Sequence, residues 1–338
     1  MKRRTVTIGI TLGDVAGIGP EVAVKAALGR TWPRHVRLVL IGSRVAVERE
    51  CVRAGLKVPP EWTPNGRPSP RVGVWNPFGC RERALPCGRP SGCAARLAAA
   101  WIGAAVTATL NGRLQAVVTA PINKQGLRLA RIVFPGHTEM LARLTGTRRY
   151  AMMLIGGPLR VVLVTRHIPL AQVSARITRG SVITAAEMAA TALRWLGVRR
   201  RTVGICALNP HGGDGGTMGV EERTIIRPAI KALRRKALDV EGPIPADVIF
   251  HQARQGRYGA VVAMYHDQGL GPLKMLAFEQ GVNLTLGLPL VRTSPDHGTA
   301  YDIAGKGLAN PGSMVAAIAL AVKLAQRRNP WARRRRSR

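Results

Sequence analysis

The chain has 338 residues, 46% of them apolar, and sets 51 Lys+Arg against 18 Asp+Glu for a formal net charge of +33. That length suits one large or two ordinary domains, and the apolar share excludes wholesale disorder. The charge raises nucleic acid or an anionic membrane as partners. Charged residues are nevertheless only 20% of the chain, and the bases divide into 9 Lys and 42 Arg. An Arg bias over a whole chain that lacks acids reads as background composition, so nucleic acid is expected to bind non-specifically if at all.

The opening MKRRTVTIGITLGD has a basic start but no small-residue cleavage site, which argues against a signal peptide. Val6 to Thr11 reads as a buried strand, followed by a Gly-rich turn and a helix over 20–28. Val36 to Ile41 is a second strand, whereas 57–92, rich in Pro and Gly without periodicity, reads as loop. An Ala-rich helix follows over 96–110; its apolar stretch from Leu97 to Leu110 reads as too short to span a bilayer, and no membrane partner is expected. Ala116 to Thr119 is a strand ending at the turn TAPINK, and Leu159 to Thr165 is another. Ser181 is the expected cap of a helix over 181–196. Strands over 202–207, 260–264 and 283–286 and a closing helix over 314–327 complete the pattern, and the tail RRNPWARRRRSR reads as mobile. Strands separated by helices imply βαβ units, so the fold class is α/β with mostly parallel sheets. Cys51, Cys80, Cys87, Cys93 and Cys206 form no CxxC pair. They read as reduced thiols of a cytoplasmic protein.

Acids are scarce, and ten of the 18 fall in turns containing Gly, Pro or His. Among the histidines, His167, His211 and His266 each lie just past the end of an expected strand. Ligands of open parallel sheets bind at those carboxyl ends. Three imidazoles there suit either a facial set for a divalent metal or three hydrogen-bonded turn residues, and their spacing does not decide between the two. The run NPHGGDGGTMGVEE, ahead of a helical stretch opening at Glu221, is either a phosphate cradle of exposed amides or a flexible loop. TLGDVAGIGPEV spaces its glycines GxxxGxG, so the Rossmann fingerprint is absent, and no P-loop occurs. Lys124, Lys274 and Arg292 sit in apolar surroundings, where a carboxylate- or phosphate-binding role competes with an ordinary surface role.

Together ITLGDVAGIGPEV, TAPINK, FPGHTEMLA, RHIPL, LNPHGGDGGTMGVEE, GPIPAD, AMYHDQGLGPLKML and GVNLTLGLPLVRTSPDHGTAYDIAGKG resemble the 4-hydroxythreonine-4-phosphate dehydrogenase family of vitamin B6 biosynthesis. The likeness runs from about residue 6 to 325; Val15 stands where many members have Pro. It implies a two-domain isocitrate/isopropylmalate dehydrogenase-like architecture with a cleft between domains. The expected division is 1–125 plus about 290–326 on the cofactor side, 126–289 carrying metal, substrate and dimer contacts, and 327–338 as tail. It further implies that His167, His211 and His266 ligate one divalent ion (Zn, Mg, Mn or Co) in a site shared across a homodimer. His137, Thr138, Lys274, Asn283 and Arg292 match the substrate contacts. Asp296, His297, Gly298, Thr299 and Ala300 resemble the adenosine-binding loop of isocitrate and isopropylmalate dehydrogenases, which implies NAD or NADP without Rossmann glycines. The base is not readable; Asp247 and Asp267 are its candidates, with Lys274 as a further catalytic group.

The reaction this resemblance implies is oxidation of 4-phosphohydroxy-L-threonine at its 3-hydroxyl. The resulting keto acid decarboxylates to 3-amino-2-oxopropyl phosphate. The alternatives are the same fold acting on a phosphorylated four-carbon sugar acid, of the 4-phospho-threonate or erythronate type, or on an aromatic cis-diol carboxylate. A nucleic-acid-binding role is more distant, because aromatics are only 4% and no recognition motif is present.

Overall fold

The computed structural model describes residues 4–66, 70–79, 87–134 and 136–332. Cys80 and tail residues 333–338 lie outside the described residues. The protein is α/β, with eleven strands in chain order: β1 (Val6–Thr11), β2 (Val36–Ile41), β3 (Val72–Trp75), β4 (Ala116–Thr119), β5 (Ala151–Gly156), β6 (Leu159–Leu163), β7 (Val203–Cys206), β8 (Val240–Ile244), β9 (Ala260–Ala263), β10 (Val282–Leu286) and β11 (Arg292–Pro295). Two compact units form, one from 1–148 with 288–338 and one from 149–287.

In the first unit the strand order is β3-β2-β1-β4-β11 and every pairing is parallel. Only Thr7 and Arg37 among the residues of β1 and β2 escape full burial. Near-continuous apolar runs are what a parallel sheet covered on both faces requires. β3 lies inside the stretch expected as loop. Its four residues are too few to show a period amid Pro and Gly, and Trp75 packs edge-on to Trp62 with centroids 5.6 Å apart.

The Ala-rich helix begins earlier than expected and covers Gly92–Leu110, with the Ser91 hydroxyl accepting from the Ala94 amide. At 19 residues it is long and apolar enough to cross a membrane, which corrects the shorter span expected. Here its buried face, including Ala98, Trp101, Ile102 and Ala105, serves the core of this unit. Leu127, Met140 and Leu141 pack with Ile102, Val106, Leu288 and Leu290. That cluster holds 126–148, expected in the other domain, within the first unit.

The second unit orders its strands β10-β5-β6-β9-β7-β8. β5 pairs antiparallel with both β10 and β6, while β6-β9-β7-β8 are parallel. The β5–β6 hairpin turns at Gly157-Pro158, where Gly157 takes φ +52°, a value open to glycine and costly for most other residues. Helix Arg179–Leu196 is capped by Thr178, not by Ser181. Ser181 is the third helical residue, and the two hydroxyls accept reciprocally from each other's amides at 3.1 and 2.9 Å. Leu154, Val161, Val261, Phe250 and Leu273 fill the core beneath.

Candidate active site

In the second unit β6 and β9 run parallel with Leu163 opposite Ala263, so both chains leave the sheet at the same edge. The Thr165 amide and hydroxyl both donate to the Met264 carbonyl, at 3.1 and 2.7 Å. Those bonds bring the residues just beyond together, and the His167 and His266 rings lie 5.4 Å apart. Two imidazoles bound to one tetrahedral ion at ~2.1 Å would have centroids roughly 5 Å apart, so this pair fits a shared divalent ion. His266 Nδ1 lies 2.6 Å from Asp267 Oδ1. A carboxylate on one ring nitrogen fixes the tautomer and leaves the other as a lone-pair donor. Among the described residues no group of three or more His, Cys, Asp or Glu could hold a metal, so His211 does not complete the set within one chain.

His211 opens a turn in which five successive residues, His211 to Gly215, have φ between +42° and +82°. Two of them, His211 and Asp214, are not glycine. The buried Glu222 carboxylate, to which sequence reasoning gave no role, anchors the approach to this turn. It accepts from the Leu208 and Asn209 amides at 2.8 Å each and from Asn209 Nδ2 at 2.9 Å. A methyl group on Gly213 would sit 2.7 Å from Glu222 Oε2. The segment is therefore neither a simple flexible loop nor an open phosphate cradle at its start, because the chain's own carboxylate takes those amides. Gln268, also unforeseen, bridges two strand ends, accepting from the Met264 amide at 2.7 Å and donating to the Ala207 carbonyl at 2.8 Å.

The remaining expected residues of this unit are spread over separate elements. Asp247 is exposed in the first turn of helix Ala246–Arg254. Lys274 is half-buried on helix His266–Ala277, with its ammonium 5.4 Å above the Phe278 ring. Asn283, on β10, is half-buried and its Oδ1 is enclosed with no hydrogen-bond partner.

In the first unit the parallel neighbours β4 and β11 set a second cluster. Arg292, 1% exposed, donates from Nε and Nη2 to the Thr119 hydroxyl at 3.2 and 2.6 Å. This rules out the surface role that competed for it, whereas Lys124 is exposed. Burial pushes the Arg292 guanidinium down to about 9, partly opposed by Glu139, so it stays protonated at neutral pH. His137 opens helix His137–Leu144, with the buried Thr138 beside it. The residue is half-buried by surface area, but its Nε2 is fully enclosed and unpartnered. Its ring also bonds the Ala120 backbone; burial first and the Arg292 charge second hold the imidazole well below its usual range, hence neutral. A fixed cation beside a neutral imidazole with a spare nitrogen is suited to an anionic, hydrogen-bonding ligand.

The segment 296–300 follows β11 in the same unit. The Asp296 amide donates to Ser313 Oγ at 3.0 Å. His297 Nδ1 lies 3.0 Å from the Gly298 carbonyl, and its Nε2 is enclosed without a partner. Thr299 is buried, Gly298 has open space where a side chain would stand, and Ala300 takes φ +39°.

A model of the family described as pyridoxal phosphate biosynthetic protein PdxA matches residues 36–321. The D-threonate 4-phosphate dehydrogenase of Cupriavidus necator is 43% identical over 325 residues, 95% of this chain and 98% of its own length. The 4-hydroxythreonine-4-phosphate dehydrogenase of Desulfosudis oleivorans is 44% identical over 324 residues, 93% of this chain and 95% of its own. The crystal structure of 4-hydroxythreonine-4-phosphate dehydrogenase from Klebsiella pneumoniae is 38% identical and aligns with a TM-score of 0.83, covering 95% of this chain and 100% of that one.

Proposed function

The chain belongs to the pyridoxal phosphate biosynthetic protein PdxA family and is an oxidoreductase, and from that premise we propose its substrate and site. It oxidises 4-phosphohydroxy-L-threonine at the 3-hydroxyl with NAD or NADP, and the keto acid then loses carbon dioxide to give 3-amino-2-oxopropyl phosphate. The observation that carries this reading is the His167–His266 pair, 5.4 Å apart at adjacent strand ends with Asp267 on one ring. His167 and His266 would hold a divalent ion, with His211 of a second copy completing the set in a homodimer. Such an ion, when bound, supplies Lewis acidity to the hydroxyl being oxidised.

The other roles belong to the chain's own side chains. Asp267 orients His266, which leaves the exposed Asp247 as the candidate base for the hydroxyl proton. Arg292 and Lys274 neutralise phosphate and carboxylate, and the planar guanidinium can grip either bidentately. Neutral His137, with Thr138 and Asn283, provides hydrogen bonds that orient the substrate without adding charge. Asp296 to Ala300 hold the dinucleotide, which accepts the hydride. Free thiols at Cys51, Cys87, Cys93 and Cys206 are in keeping with a reducing cytoplasm.

A second reading takes D-threonate 4-phosphate as substrate, favoured by the whole-chain similarity to the Cupriavidus enzyme. The two candidates differ at C2, ammonium in one and hydroxyl in the other. Purified protein is assayed with each, under NAD or NADP and several divalent metals, by the appearance of reduced nicotinamide. Turnover of the amino acid with little of the sugar acid is expected. The reverse preference establishes the second reading, and no turnover of either sinks both.

A further inference from the structure

A buried carboxylate outside the expected substrate and metal sets links the first Gly-rich turn to the 296–300 segment. Asp14 has no exposed surface, yet no ion pair to it exists among the described residues. Its Oδ1 accepts from the Ala16 amide at 2.9 Å, a bond local to its own turn. Its Oδ2 accepts from the Tyr301 hydroxyl at 2.6 Å, a bond spanning 287 residues of sequence. A buried carboxylate without a cation is costly, and these hydrogen bonds are what offsets the cost.

The turn that presents Asp14 is itself held tightly. Gly13 takes φ +67°, and a methyl group there would meet the Pro121 carbonyl at 2.3 Å. The Asp14 amide donates to that same carbonyl at 2.8 Å. Four residues after Asp14 the turn meets the other segment directly, because the Ile18 amide donates to the Thr299 carbonyl at 2.9 Å. A methyl group on Gly17 would lie 2.6 Å from that oxygen, so the approach requires glycine. The Tyr301 hydroxyl also bonds the Thr299 side chain. Between Thr299 and Tyr301 stands Ala300 at φ +39°, a conformation that surrounding contacts must impose. The bonds to Thr299 and Tyr301 clamp it from both sides.

We propose that Asp14 and Tyr301 are positioning residues, forming a latch that holds the 296–300 segment in its dinucleotide-binding shape. This rests on the reading that the segment binds NAD or NADP. Neither side chain needs to touch the cofactor. The latch acts by reducing the ordering that binding would otherwise have to complete.

The test measures binding of NADH and NADPH to the full-length protein by calorimetry, with binding of a divalent metal alone as control. Tyr301→Phe keeps the ring and removes only the hydroxyl. It is expected to weaken the dinucleotide roughly tenfold, equivalent to about 1.4 kcal/mol, and to leave metal affinity as it was. Asp14→Asn keeps an acceptor oxygen for Tyr301 and should lose less than Asp14→Ala. Gly298→Leu fills the open space at the segment itself without a positive φ, and should block the dinucleotide outright. If Gly298→Leu blocks binding and Tyr301→Phe binds as the unaltered protein does, the latch is overturned. If neither variant changes dinucleotide affinity, the assignment of the segment to the cofactor falls instead.

Discussion

Arg292 and Thr119 stand on neighbouring parallel strands, and two guanidinium nitrogens of the one share the hydroxyl of the other at 3.2 and 2.6 Å. A cation 1% exposed is held in one orientation, and its planar fork presents its other donors in fixed directions. Arg292→Lys keeps the charge and loses the fork. Its catalytic efficiency with the phosphorylated hydroxy acid should fall roughly tenfold to a hundredfold, mainly through KM. Steady-state kinetics check this, and an unchanged KM would remove Arg292 from the substrate set.

Asp267 holds one nitrogen of His266 at 2.6 Å, so its removal should act on the metal before it acts on the proton. Asp267→Asn is expected to weaken divalent-metal affinity by about 10- to 100-fold, measured by competition with a chelator. Asp247→Asn should leave that affinity unchanged. Equal metal affinity in the two variants would return Asp267 to the list of candidate bases.

His137 makes a prediction about pH. Its folded-state pKa is held well below 6.5 by burial and by Arg292, whereas the unfolded chain titrates near 6.5. Below 6.5 the unfolded state takes up a proton that the folded state refuses, so stability is full above that pH and declines as pH falls. The loss is about 1.4 kcal/mol per pH unit until the folded pKa is reached. His137→Gln lacks this dependence. Urea unfolding of both proteins, about one unit above and below 6.5, should show the unaltered protein losing more stability than the variant. Parallel losses would place a charged imidazole at this position.

Glu222 satisfies the amides of Leu208 and Asn209 and the side-chain amide of Asn209. Glu222→Ala leaves the half-buried Leu208 and Asn209 amides without this acceptor, while Asn209 Nδ2 keeps its bond to Glu221 Oε2 at 2.8 Å, at a cost of about 1–3 kcal/mol. Thermal denaturation should show it as a clear fall in Tm. Glu222→Gln, which keeps one acceptor oxygen, should lose less. If instead both variants melt with the unaltered protein, the His211 turn does not depend on this carboxylate.

Much of the fold was legible locally. β1 and β2 showed as apolar runs with the ends observed, because a strand buried on both faces needs no alternation to be seen. β6 and β9 were also legible, though read to Thr165 and Met264 where they end at Leu163 and Ala263. That they are parallel neighbours, which brings His167 to His266, was not legible. β3 was not, because four residues among Pro and Gly carry no period. Ser181 was mistaken for the cap because Thr178 and Ser181 are chemically alike, and only backbone angles separate a cap from the third helical residue.

Composition and motif order by themselves determined the α/β class, the positions of seven of the eleven strands described, the family resemblance and the turns that carry the histidines. Those are local or additive properties: periodicity, turn chemistry, and the order of short segments along the chain. Tertiary structure alone decided that Arg292 is buried, that 126–148 belong with the first unit, that Glu222 takes the amides ahead of His211, and that Asp14 bonds Tyr301. Each depends on which polar groups come to share one dry space, and residues up to 287 positions apart meet there only after the core has packed.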